Sequence, residues 1–236
     1  MAQKRKLVIE VCANGLDSAR NAQRAGANRI ELCDFLEAGG ITPTSDMISV
    51  VKERMVLPIH VLIRPRPGNF IYSVSEFKKM RHDVMLCREF GLAGVVLGLL
   101  DEEDQVNVQR CRELVKLAQP MSVTFHRAFD KVKDPMKAME QLIDLGFQRI
   151  LTSGQKENAL EGSALIAALI HRANGQISIM PGGGITEENI SEIVAATGAH
   201  EFHFSAKVKT DDGRLVSDEN RIRNIKEIAE KTFYAH

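Results

Sequence analysis

Eight short runs rich in β-branched and apolar residues recur along the 236-residue chain, and a stretch with helical spacing follows each of them. They are LVIEVC (7–12), RIELC (29–33), IHVLI (59–63), GVVLG (94–98), SVTFH (122–126), RILTS (149–153), ISIM (177–180) and EFHFS (201–205). Parallel strands joined by crossover helices must be covered on both faces, which leaves a closed barrel or an open doubly wound sheet. Gly26, Pro58, Gly91, Pro120, Gly146, Gly175 and Gly198 mark the helix-to-strand junctions at near-regular intervals, where glycine supplies a left-handed cap and proline stops a helix. An open nucleotide-binding sheet would carry GxGxxG after its first strand, whereas CANGLDSA there has one glycine. The reading is a single TIM-barrel domain over 1–236, a (β/α)8 fold with a parallel, eight-stranded, closed sheet.

The intervening segments agree with this. SVSEFKKMRHDVMLCREF opens with a capping box of Ser73 and Glu76 before its apolar positions repeat at helical spacing. Lys207 to Ser217 reads as a polar loop, and SDENRIRNIKEIAEKTF as the last helix.

Composition bounds the partners. Lysine plus arginine and aspartate plus glutamate each total 31, so no global field draws the chain to nucleic acid or an acidic membrane. There is no basic stripe, and the aromatics are only ten phenylalanines and two tyrosines, which argues against a nucleic-acid module. MAQKRKLVIEVCA starts basic like a signal peptide, but Glu10 breaks its apolar stretch, and runs such as AGVVLGLL are too short to span a bilayer. Four cysteines are too few for a disulfide framework in a chain of this length and fit a reducing compartment. The expectation is a soluble cytoplasmic protein.

Period-two alternation assigns the faces of each strand. Leu7, Ile9 and Val11 face the helices while Val8, Glu10 and Cys12 point inward; Ile30 and Leu32 face outward, Glu31 and Cys33 inward. His60, Leu62 and Arg64, Thr124 and His126, and Glu201, His203 and Ser205 also point inward. Barrel interiors are ordinarily filled by branched apolar side chains, so this polar interior needs a reason. One reason is a satisfied ion-pair network, with Glu10, Glu31 and Glu201 as partners for arginines. The other is a ligand site at the C-terminal ends of the strands.

The strand ends offer two chemistries. Cys12 and Cys33 sit last on adjacent strands, both inward and each two residues after a glutamate, and are read as level with one another. Strands about 4.8 Å apart let two thiolates share an ion at metal–sulfur distances of about 2.3 Å, and soft thiolates select Cu(I) or zinc. His60, His126 and His203 are further candidate ligands, whereas Cys87 and Cys111 lie in helical patterns and read as packing. The plain alternative is that Cys12 and Cys33 are small buried hydrophobes. The second chemistry is anion binding: Gly182, Gly183 and Gly184 in PGGGI, with Ser205, could present a backbone cradle, and Arg64, Arg66 and Arg127 fork-shaped donors. Glu10, Glu31, His60, His126 and Asp130 are then candidate proton-transfer groups.

Taken together, ELC followed by EAGGITP, IRPRPGNF, FHRAFD, LTSGQ and PGGGI resemble the CutC family, in the right order from Glu10 to about Ser205. That resemblance implies a cytoplasmic TIM barrel concerned with copper homeostasis, with Cu(I) as the ion bound or handled. The alternative is a TIM-barrel enzyme acting on a small phosphate- or carboxylate-bearing metabolite. The expected partners are a copper ion or a small anionic ligand, with self-association left open.

Overall fold

The computed structural model describes residues 6–235. Eight parallel strands, β1 (Val8–Ala13), β2 (Arg29–Leu32), β3 (Ile59–Leu62), β4 (Gly94–Leu97), β5 (Ser122–Phe125), β6 (Arg149–Thr152), β7 (Ser178–Pro181) and β8 (Glu201–Phe204), lie side by side in chain order, with β8 returning to pair with β1. A single parallel bridge between Gly182 and His203 joins β7 to β8 and closes the cylinder. Every other ladder has between two and four paired positions.

The helices that cover the sheet are α1 (Leu16–Arg24), α2 (Ser45–Arg54), α3 (Val74–Glu89), α4 (Val108–Ala118), α5 (Pro135–Leu145), α6 (Ser163–Ala173), α7 (Ile190–Thr197) and α8 (Glu219–Tyr234). They begin and end where the side chains say they should. The Ser73 hydroxyl accepts from the Glu76 amide while the Glu76 carboxylate accepts from the Ser73 amide, and Thr44, Asn107, Asp134 and Asp218 cap four other helices. At the far end of α5, Gly146 takes φ 85°, the left-handed conformation that an L side chain resists.

The outward residues Ile9, Val11, Ile30, Leu32, Val61, Val95 and Phe202 are buried against the helices in one continuous core. Inside the barrel the apolar contribution is small: Cys12, Cys33, Leu62 and Val96, with Leu36 packed against them. Leu151, Met180 and Thr124 add to the interior, and the remainder of it is largely charged. None of the described helices is long and apolar enough to cross a membrane.

The segment read as a polar loop is instead an antiparallel ribbon of β9 (Lys207–Lys209) and β10 (Leu215–Ser217). Its turn carries Asp212 followed by Gly213 at φ 84°, a hairpin signal obscured by the surrounding charges. The ribbon docks over the end of β1. Asn14 Nδ2 donates to the Leu215 carbonyl at 2.8 Å, and the Ser217 hydroxyl donates to the Cys12 carbonyl at 3.1 Å.

Candidate functional site

At the bottom of the interior lies an ion-pair network centred on Arg29. Its guanidinium donates to Glu10 and, at 2.7 Å, to Glu201; Arg149 donates to the same Glu201 oxygen at 2.7 Å and to the Ser122 hydroxyl at 2.8 Å. Alternation from Glu31 and Cys33 puts Arg29 on the inward face, yet the sequence reading assigned arginine chemistry only to the motif loops. Glu10 and Glu201 are held by Arg29 and Arg149, not by Arg64, Arg66 or Arg127.

Above this network, His203 Nδ1 donates to Glu10 at 2.8 Å, while its Nε2 lies 3.5 Å from Glu31. Burial alone would favour neutral imidazole, but Glu31, Cys12 and Glu10 outweigh it and raise the His203 pKa well above its ordinary value. Burial also opposes ionisation of Glu10, yet Arg29 and His203 hold its carboxyl well below the usual range. At Glu31 burial prevails and the pKa rises. Three carboxylates thus face two guanidiniums and one imidazolium, so the interior charges can balance.

Next to His203 stand the thiols. Cys12 Sγ is 3.5 Å from Cys33 Sγ, and both residues are buried. The contact with Cys33, burial and the nearby Glu31 carboxylate raise the Cys12 pKa well above its ordinary value. One expectation needs correcting: Cys12 and Cys33 are not level. In the ladder Cys12 is opposite Glu31, because closing a sheet into a barrel staggers neighbouring strands. Consequently the compact donor group is Cys12, Glu31 and His203, whose ligand atoms all lie within 4.8 Å of one another, with Cys33 touching Cys12. The sequence makes Glu31 a candidate ion-pair partner or proton-transfer group, and the structure places it among the donors.

His60 and His126 are not part of that group. Each is buried and held neutral with a pKa of about 3; burial is the main cause, assisted at His60 by Arg29 and Arg149 and at His126 by Arg64. The His60 ring packs on Gly94, where an added Cβ would come within 2.6 Å of it. His126 Nδ1 accepts from the Ala128 amide at 3.1 Å, leaving the proton on Nε2, so this ring is a donor rather than the base expected.

The mouth is a cavity of about 530 Å³. Cys12, Glu31 and His203 floor it; Arg64, Arg127, Lys207 and Arg221 are its cationic lining, and Gly183, Gly184 and Ser205 face it as well. Four proposed site residues have other roles. Arg64 Nη1 donates to the carbonyls of Ala38, Gly39 and Gly40, and Nη2 to that of Gly68, so this guanidinium mainly shapes two loops. Arg66 pairs with Glu76 outside the cavity. Gly182 makes the closing bridge and does not line the cavity. Asp130 joins two motifs: its carboxylate accepts from the hydroxyls of Thr152 and Ser153, from the Ser153 and Gln155 amides and from Arg127 Nε. FHRAFD and LTSGQ therefore occur together because one holds the other, and Asp130 itself does not line the cavity but orients Arg127, which does.

Comparison with known proteins places these features in a lineage. The profile of the CutC family matches residues 7–208. Copper homeostasis protein cutC homologs from Mus musculus and Homo sapiens are each 48% identical over 206 residues, covering 87% of this chain and 76% of theirs. The crystal structure of a CutC copper homeostasis protein from Streptococcus agalactiae superposes with a TM-score of 0.81 at 34% identity, covering 84% of this chain and 98% of that one.

Proposed function

The chain belongs to the CutC family, and from that premise we propose that it serves copper homeostasis by binding Cu(I) at Cys12, Cys33 and His203, with Glu31 beside them. The observation that carries this reading is the placement of Cys12 Sγ between a second thiol at 3.5 Å and the Glu31–His203 pair, on the floor of an open cavity. The donor set suits the ion: two sulfurs and an imidazole nitrogen are soft or borderline ligands that favour Cu(I) over hard cations. Cu(I) here is cargo. The protein's part is to hold the thiols within contact distance, keep Glu31 near to offset the positive charge, and orient His203 through Glu10. A cytoplasmic location accords with four free, buried cysteines.

Anaerobic competition with a Cu(I) chelator of known affinity tests the assignment. Cys12→Ser with Cys33→Ser is expected to weaken binding at least tenfold, since hydroxyls replace both soft ligands. Cys87→Ser with Cys111→Ser is expected to leave it unchanged, because those thiols are buried in α3 and α4 with pKa values pushed up to about 12 by burial. Equal affinity in all three proteins would remove the copper site.

A second reading, an enzyme acting on a small anionic metabolite, is favoured by the cavity itself. About 530 Å³ is the size of an organic ligand site and far exceeds the needs of one ion.

A further inference from the structure

We propose that the mouth cavity binds an organic phosphate monoester, with its phosphate between the Gly183–Gly184 turn, Arg127, Ser205 and Lys207, and its carbon body over the cavity's apolar wall. The inference deepens the second reading above and does not depend on copper. Gly183 and Gly184 adopt φ of 100° and 70°, backbone that glycine provides at little steric cost, and Gly183 is also a close approach: a Cβ there would lie 3.1 Å from Arg127 Cζ and Nη1. The turn is fixed from outside the cavity, because the Gly183 carbonyl accepts from the Ala159 amide at 2.9 Å and the Gly184 carbonyl from Asn189 Nδ2 at 2.7 Å. No acceptor among the described residues takes the amides of Gly183 or Gly184, or the Ser205 hydroxyl.

The guanidinium beside this turn is equally oriented. Arg127 Nε is held by Asp130 at 2.8 Å and Nη2 by Ser153 at 2.8 Å, which leaves Nη1 facing Gly183 without an acceptor. Two further lining residues carry buried nitrogens with no partner among the described residues, Arg64 Nε and His126 Nε2. Glu31 is the one carboxylate that lines the cavity among the described residues, and His203 already accompanies it. Arg221 commits all its nitrogens to Glu187 and the Lys207 carbonyl, and Arg64 commits Nη1 and Nη2 to loop carbonyls. Arg127 keeps Nη1 free among the described residues beside its pairing with Asp130, so Arg127 Nη1 and the Lys207 ammonium are the donors placed to meet an anion.

Phosphate fits this arrangement better than carboxylate. Two amides, a hydroxyl, a guanidinium edge and an ammonium exceed what two carboxylate oxygens can accept in compatible directions, whereas a phosphate monoester offers three charged oxygens. Leu36, Leu62, Phe70, Ile185 and Phe204 form the remaining wall, which free phosphate would leave uncovered.

The test is calorimetric titration, with thermal denaturation alongside, using inorganic phosphate, phenyl phosphate and benzoate as probes. Phenyl phosphate is expected to bind at least tenfold more tightly than either other probe, and to raise the melting temperature by about 5 °C at a hundredfold excess over its Kd. Arg127→Met should weaken it about tenfold. Because that change also loosens Asp130, Lys207→Met, at an exposed residue whose ammonium makes no ion pair among the described residues, should independently weaken it several-fold. Inorganic phosphate binding as tightly as phenyl phosphate would overturn the proposal, as would insensitivity to both substitutions. Preference for benzoate would overturn it while leaving an anionic-metabolite enzyme standing, and binding of none of the three would overturn both.

Discussion

Replacing Arg29 with methionine is expected to destabilise the protein by about 3–5 kcal/mol, the range for removing one partner of a buried ion pair. Methionine matches much of the volume, so the loss is electrostatic. Glu10 and Glu201 both stay buried, and each loses a charged donor at the same moment. For a chain of this length that corresponds to a melting temperature lower by about 10 °C. Arg172→Met supplies the control: its pairing with Glu140 is exposed, and its removal is expected to cost no more than about 1 kcal/mol. Equal effects of the two substitutions in thermal denaturation would mean that the interior network contributes no more than a surface pair. Glu10 adds a pH signature. Its lowered pKa contributes stability that is fully present above its ordinary value of 4.5 and is lost as the pH falls through the lower, folded value.

Cu(I) affinity is expected to rise steeply with pH, by about a hundredfold or more per unit below the folded pKa of His203. Ligation needs a thiolate and an unprotonated ring nitrogen, but the free protein holds protons on both groups. Cys12 has its pKa raised well above 9.0 by Cys33, burial and Glu31, and His203 has its own raised well above 6.5, where Glu31, Cys12 and Glu10 overcome burial. Displacing the Cys12 and His203 protons contributes a slope of about two in log affinity against pH, and the second thiol ligand, Cys33, adds to it on binding as thiolate. The slope falls by one once the pH passes the folded pKa of His203. Competition measured at half-unit intervals from pH 6.5 to 8.5, with the chelator's own protonation accounted for, reads this directly. A flat profile would mean that neither Cys12 nor His203 surrenders a proton to the ion.

Much of this arrangement was legible in the order of residues. Alternation in the strands placed Glu10, Glu31, His60, His126 and His203 inside, and the capping box at Ser73 and Glu76 set the start of α3. What is not legible has several physical origins. Arg29 and Arg149 open their strands, at the opposite end from the motif segments that carry Arg64, Arg66 and Arg127. Counting from the strand ends makes Cys12 and Cys33 level because it ignores the stagger of a closed barrel; that stagger sets Glu31 opposite Cys12 and brings it into the donor group. The roles of Asp130 and Arg66 depend on which loops meet, information that no period of two or 3.6 carries. The β9–β10 ribbon was missed for a local reason, since lysines alternating with a valine look like loop composition even when Asp212 and Gly213 announce a hairpin.

The barrel's narrowest joint is the bridge between Gly182 and His203, and the backbone that makes it carries the side chain clamped by Glu10. Segments held by few backbone bonds open locally before the rest of a fold, so the protonated imidazole acts as a latch on that joint. Because its pKa is raised in the folded state, the latch holds fully below pH 6.5 and releases as the pH climbs through the folded value. Cu(I) bound at Nε2 would take the place of the second ring proton while Nδ1–H keeps its bond to Glu10, so a filled barrel would be fastened by its cargo where an empty one is fastened by a charge.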